Sequence, residues 1–152
     1  MTFGCHPSKA DQFQAKEKKI LELFLRDPSR VFNGRVVAVG ECGLDSTYYD
    51  AGSPKDLQVM VFKEHLEMAK KVNLPLVVHL RGEEDVAEEA HAIMKYTLGE
   101  AGKSIGIHMH CFNYSLKVAE MFLQDFPGMK FGLVPHFFKA EVKFHSSCSV
   151  KT

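Results

Sequence analysis

Three short apolar runs of the sequence end in side chains that can bind a metal or move a proton: Val36-Val-Ala-Val-Gly-Glu41, Leu74-Pro-Leu-Val-Val-His79 and Ile105-Gly-Ile-His-Met-His110. Side chains alternate between the two faces of a strand. As β-strands, these runs put Glu41 with Val37 and Val39, His79 with Val77 and Arg81, and His110 with Gly106 and His108. Parallel α/β proteins bind ligands at the carboxyl edge of the sheet, where these residues fall. A carboxylate and two neutral imidazoles are ligands for Zn, Mn or Fe, and three protein ligands leave coordination positions for water and substrate. Water held in this way is acidified and can attack an ester or phosphodiester. Each histidine taken alone has a plainer reading, as a satisfied core residue or a loop cap. The separations along the chain add nothing, being only the length of one βα unit.

The elements that must position these residues alternate β-rich runs with stretches of helical period, which predicts an α/β fold with a parallel sheet. A fourth strand is expected at Met129-Lys-Phe-Gly-Leu-Val134 and a shorter one from Thr2 to His6. The runs are apolar enough to be covered on both faces. The clearest helix opens at Ser53-Pro54-Lys55-Asp56, with Ser as N-cap and Pro at the first helical position, and runs to about Val72. Its stripe of Leu57, Val61, Phe62, Leu66, Met68, Ala69 and Val72 faces the sheet. Further helices are expected from Glu83-Glu84-Asp85, whose acids suit a helix N-terminus, from about Ser115 to Pro127, and from Ala10 to Arg26 with Phe13, Ile20, Leu21 and Phe24 inward. Met60, Met68, Met94 and Met121 read as core fillers. After Pro135 the period is lost, so residues 136–152 read as an irregular tail on a domain of residues 1–135.

The composition is that of an ordinary soluble globular chain, with 152 residues, 45% of them hydrophobic and 25% charged. Nineteen Lys and Arg balance nineteen Asp and Glu, which argues against a broad phosphate-binding surface but leaves room for a local basic pocket. Lys16, Lys18 and Lys19 read as a solvated helix face. No apolar run is long enough to span a membrane and the amino terminus lacks the pattern of a secretory signal, so a cytoplasmic or nuclear, unsecreted protein is expected. Cys5, Cys42, Cys111 and Cys148 are far apart, with no zinc-ribbon spacing, and should be reduced thiols. No stable protein partner can be deduced.

Taken in order, Gly40-Glu41-Cys42-Gly43-Leu44-Asp45, Leu74-Pro75-Leu76-Val77-Val78-His79-Leu80-Arg81 and His110-Cys111-Phe112 resemble successive signatures of the TatD-like metal-dependent deoxyribonucleases. Gly4-Cys5-His6-Pro7 resembles their Gly-x-His-Pro-His element, and Gln58 with Phe62 matches the helix between. The resemblance runs from Gly4 to about Gly132. It implies a (β/α)8 TIM-type barrel with two divalent ions at its carboxyl rim, hydrolysing phosphodiester bonds of DNA, often from the 3′ end. Carried across by position, Glu41 matches the carboxylate bridging the two ions, and His79 and His110 match the imidazoles of the second ion. Arg81 and His6 fall at pocket positions suited to contacting substrate phosphate. His108 matches no ligand of the family and is expected to support His110 through a hydrogen bond.

The pattern also departs from the family. The family's initial His-x-His strand and late Asp strand, which hold the first ion, have no counterpart, and Ser8 replaces the second His of His-Pro-His. A complete barrel needs roughly 250 residues, so the expectation is an incomplete (β/α)8 fold of about five parallel strands with flanking helices, a truncated and unstable form with exposed edges. The expected function is metal-dependent phosphodiester hydrolysis on DNA, with one Mg, Mn or Zn site retained on Glu41, His79 and His110, Glu41 and Arg81 serving catalysis, and turnover reduced by the missing ligands. The alternative is a non-catalytic metal-binding fragment or regulator. Asp45 is expected to fix the loop after its strand. Catalysis by Cys111 with His110 is disfavoured, since neighbours on a strand point to opposite faces.

Overall fold

A computed structural model describes residues 1–26 and 36–133. Five strands, β1 (Thr2–Phe3), β2 (Ala38–Asp45), β3 (Leu76–Arg81), β4 (Ile107–Phe112) and β5 (Lys130–Leu133), form one sheet in the order β1-β2-β3-β4-β5. Every pairing is parallel. Four α-helices connect or flank them: α1 (Ala15–Arg26), α2 (Lys55–Val72), α3 (Glu84–Leu98) and α4 (Leu116–Asp125). Sequential parallel strands with a helix between each pair are the progression of a (β/α) barrel wall. The irregular tail expected after residue 135 lies outside the described residues.

The helices form where the sequence period places an apolar stripe, and they bury that stripe on one face of the sheet. α2 contributes Val61, Phe62, Leu66 and Ala69, and α3 contributes Val86, Ala87, Ala90 and Met94, all buried. They meet Leu76, Val78 and Leu80 of β3 and Ile107, Met109 and Phe112 of β4 in one core. Fully burying a side chain such as Phe62 stabilises the fold by about 1.5–3 kcal/mol. α2 stops at Asn73, which takes the left-handed conformation of a helix C-cap (φ 52°). α4 starts at Ser115, whose hydroxyl accepts from the Val118 amide. Glu84 and Asp85 occupy the first turn of α3, as the acidic run predicts.

Several expectations are corrected. Coverage on both faces holds for β2, buried throughout except at half-buried Glu41, but β3 alternates, with Leu76, Val78 and Leu80 buried while Val77 and His79 are half-buried and Arg81 is exposed. The less covered face is the one that carries the histidines. Ser53 is not the N-cap of α2. Pro54 is, and the Ser53 hydroxyl instead donates to the Pro7 carbonyl at 2.6 Å. The first helix begins at Ala15, because Pro7–Gln12 forms a separate 3-10 turn. Ile20 and Met60 point outward, at 40% and 47% exposure, since each falls just off its helix's apolar stripe.

Candidate metal centre

The carboxyl ends of β1, β2, β3 and β4 bring four side chains to one opening. Glu41 is half-buried on β2, and its Oε1 lies 2.7 Å from His79 Nδ1, 3.1 Å from His110 Nε2 and 3.7 Å from His6 Nε2. The rings follow the same convergence, with centroids 4.4 Å apart for His6 and His79 and 5.7 Å for His79 and His110. Potential ligand atoms of His6, Glu41 and His79 all lie within 4.8 Å of one another.

Local sequence explains the convergence. His79 pairs in register with His110 on β4 and with Gly43 on β2. Gly43 has a φ of 149°, and a Cβ there would run into the His79 carbonyl oxygen. Gly40 is similar, with a φ of 133° and the Val77 carbonyl oxygen where its Cβ would be. The two glycines let β2 lie close against β3, and the register shift between Val39 and Cys42 turns Glu41 toward His79. His6 arrives by another route. It caps the Pro7–Gln12 turn, its Nδ1 accepting from the Ser8 amide at 3.1 Å, which leaves Nε2 facing Glu41.

Asp45 stands four residues after Glu41 on the same strand and is 1% exposed. Its Oδ1 accepts from the amide and hydroxyl of Thr47 at 3.0 and 2.6 Å, fixing the Ser46–Tyr48 turn as the loop reading predicts. Its Oδ2 lies 3.2 Å from His79 Nε2, a contact missed in the sequence. Alternation would have found it, because residues 41 and 45 share a face and flank the register partner of His79.

Burial, and after it the neighbouring His79 imidazole, lowers the His6 pKa below the ordinary 6.5, against the pull of Glu41 and Asp45. With Nδ1 accepting from the Ser8 amide, the neutral ring this favours carries its hydrogen on Nε2, toward Glu41. Arg81 is exposed at the end of β3 and lines, with His79, His110, Cys111 and Tyr114, a cleft of about 400 Å³. That volume is in the range of ligand pockets.

Two expectations about β4 change. Among the described residues no hydrogen bond joins His108 to His110; the exposed His108 ring lies against Gly132 of β5. Cys111 does meet His110, with Sγ 3.2 Å from Nδ1, because Cys111 has a φ of 53° and the strand's alternation breaks there. Cys5, Cys42 and Cys111 are free thiols. Burial pushes the Cys42 thiol well above its usual range and the Cys5 thiol up to about 11, so neither is poised as a nucleophile.

The donor set fits a divalent cation. A carboxylate oxygen and imidazole nitrogens are ligand types a divalent cation takes, and those of His6, Glu41 and His79 lie within 4.8 Å of one another. A parallel α/β sheet with such donors at its carboxyl rim is the arrangement of a barrel-type fold with a candidate cation site. The sequence profile of the family described as TatD related DNase matches residues 1–149, and the chain belongs to that family. It is 37% identical over 131 residues to a human protein named 3'-5' RNA nuclease TATDN2, covering 86% of this chain and 15% of that protein. It is 32% identical over 122 residues to 3'-5' ssDNA/RNA exonuclease TatD of a Rahnella strain, covering 80% of this chain and 41% of that one. Among solved structures, a TatD homologue from Escherichia coli superimposes with a TM-score of 0.68 at 28% identity, over 86% of this chain and 44% of that chain. The chain thus spans less than half the length of each of these relatives.

Proposed function

We propose that this chain holds a divalent cation on Glu41, His79 and His110, with His6 at the same opening, and that the site serves hydrolysis of phosphodiester bonds in a nucleic acid. The observation that carries the proposal is the convergence of three imidazole nitrogens on Glu41 Oε1, at 2.7, 3.1 and 3.7 Å. The relatives named as nucleases of DNA and RNA supply the substrate class.

Each residue has a part that follows from its position. Glu41 supplies the charge that offsets the cation and is the donor nearest all three rings. His79 and His110 fix the other side from adjacent, in-register strands, and β-sheet placement limits their drift. His6 reaches the same opening from the first turn, its Nε2 facing the Glu41 carboxylate at 3.7 Å. A bound divalent cation acidifies a coordinated water and polarises a phosphoryl oxygen. Arg81, two residues beyond His79 and free of the core, suits a phosphate in the adjoining cleft through its planar fork of donors. The chain carries no excess of positive charge. Nucleic acid would therefore be held by this local contact and the cation, and no long basic track is required.

The test is release of nucleotides from single-stranded DNA and RNA bearing a labelled 5′ end, in Mg, Mn or Zn, with a chelator control. Shortening from the 3′ end that disappears with chelator and in Glu41→Gln supports the assignment. Equal rates for the chain and for Glu41→Gln contradict it.

A further inference from the structure

We propose that Asp45 is a positioning residue, which orients His79 from behind and fixes the tautomer that leaves its Nδ1 lone pair facing the cation. This inference rests on the metal-binding reading above and goes beyond it to a residue outside the ligand set. His79 is clamped between two carboxylates, with Nδ1 2.7 Å from Glu41 Oε1 and Nε2 3.2 Å from Asp45 Oδ2. A neutral imidazole has one N–H and one lone pair. Only Nδ1 faces the other donors, so ligation requires the lone pair on Nδ1 and the hydrogen on Nε2. That hydrogen then points at Asp45, as the far nitrogen of a metal-bound histidine usually points at a carboxylate or carbonyl. A cation between His79 and Glu41 would take up the Nδ1 lone pair, and with it in place the opposite tautomer would set the Nε2 lone pair against Oδ2, two acceptors face to face beside a carboxylate that is 1% exposed.

The carboxylate is built to hold this aim. Thr47 occupies Oδ1 with its amide and its hydroxyl, so the group cannot rotate freely. Gln58, fully buried on α2, accepts from the Asp45 amide at 2.8 Å and donates to the Asp45 carbonyl at 3.1 Å, holding the backbone as well. A loop cap needs Oδ1 alone. The cap leaves Oδ2 unexplained, and His79 explains it.

Asp45→Asn separates the two roles. The Thr47 amide can be satisfied only by an oxygen, so Asn keeps its carbonyl on Thr47 and turns its NH2 toward His79 Nε2. A donor then faces Nε2, where ligation through Nδ1 needs the hydrogen. Nitrogen-15 NMR of the Zn-loaded full chain reads this directly, with the His79 resonances assigned from their loss in His79→Gln. The expected result is Nδ1 as the ligating nitrogen with the hydrogen on Nε2 in the wild-type chain, and loss of that pattern in Asp45→Asn, with calorimetric affinity for Zn weakened about 10- to 100-fold. Thr47→Val, which removes the hydroxyl bond and keeps the amide bond, should leave both readouts as in the wild type. An Asp45→Asn chain that keeps the wild-type pattern and Zn affinity overturns the proposal, as does a Thr47→Val chain that matches Asp45→Asn in both readouts. A wild-type chain that binds no Zn overturns the metal assignment and the proposal with it, whereas wild-type binding that Asp45→Asn leaves unchanged overturns the proposal alone.

Discussion

Two polar clusters flank β2, and they are built on opposite terms. In the interior cluster, Gln58 and His65 each have partners of their own. Gln58 accepts from the Asp45 amide and donates to the carbonyls of Asp45 and Ser53, at 2.8, 3.1 and 2.9 Å. His65, fully buried, meets the Val61 carbonyl at 2.8 Å through Nδ1 and accepts from the Cys5 amide at 3.0 Å through Nε2. At the rim, by contrast, three imidazoles share one oxygen of Glu41. Complete satisfaction suits polar residues that hold the structure, and crowding of imidazoles on one oxygen suits the cation site proposed above. The first cluster also aims the second: Gln58 fixes the backbone of Asp45, and His65 fixes Cys5, the neighbour of His6.

The largest effect that would break this contrast is at the rim. Glu41→Ala should lower any metal-dependent nuclease rate by at least about a hundredfold, since electrostatic and metal terms are the dominant ones, while the melting temperature changes little. A large fall in melting temperature would mean that Glu41 belongs with the structural cluster. The interior should behave in the reverse sense. Gln58→Leu leaves buried partners on Asp45 and Ser53 unpaired and should cost about 2–4 kcal/mol in a denaturant titration. Destabilisation no larger than that of a surface substitution would remove Gln58 from its supporting role.

A smaller effect sharpens the view of His65. Burial lowers its pKa below the ordinary 6.5, so the folded chain binds fewer protons than the unfolded chain once the pH drops below that value. Its contribution is complete above about 6.5 and is lost as the pH falls toward the lowered folded value. The melting temperature should therefore drop between about pH 7 and pH 5, and His65→Gln, which cannot gain the proton, should drop less. Parallel pH curves for the two chains would contradict this. At the small end, Lys103→Ala removes only an exposed pair with Glu100 on the Gly99–Lys103 turn, and its melting temperature should match the wild type within error.

Much of this was legible in the sequence, for reasons that explain the remainder. Strand and helix periods gave the parallel α/β order, and placing polar residues at strand ends picked out Glu41, His79 and His110, which do meet. His6 was read from the resemblance as a phosphate contact; its approach to Glu41 depends on a 3-10 turn that no period announces. The second oxygen of Asp45 was missed because the loop already explained the first. Cys111 was set apart from His110 by alternation, and a single positive φ cancelled that rule. Ser53 looked like a helix cap because its local pattern is one, but the Pro7 carbonyl, 46 positions away, competes for the same hydroxyl.

The central claim is that the rim is a cation site anchored by Glu41. Calorimetric titration of the metal-free chain with Zn or Mn tests it most directly, beside Glu41→Gln, His79→Gln and a Tyr96→Ala control on the exposed face of α3. The account predicts saturable binding by the chain and the control, and loss of most affinity in both rim variants. Equal affinity in all four chains, or no binding by any, would contradict it.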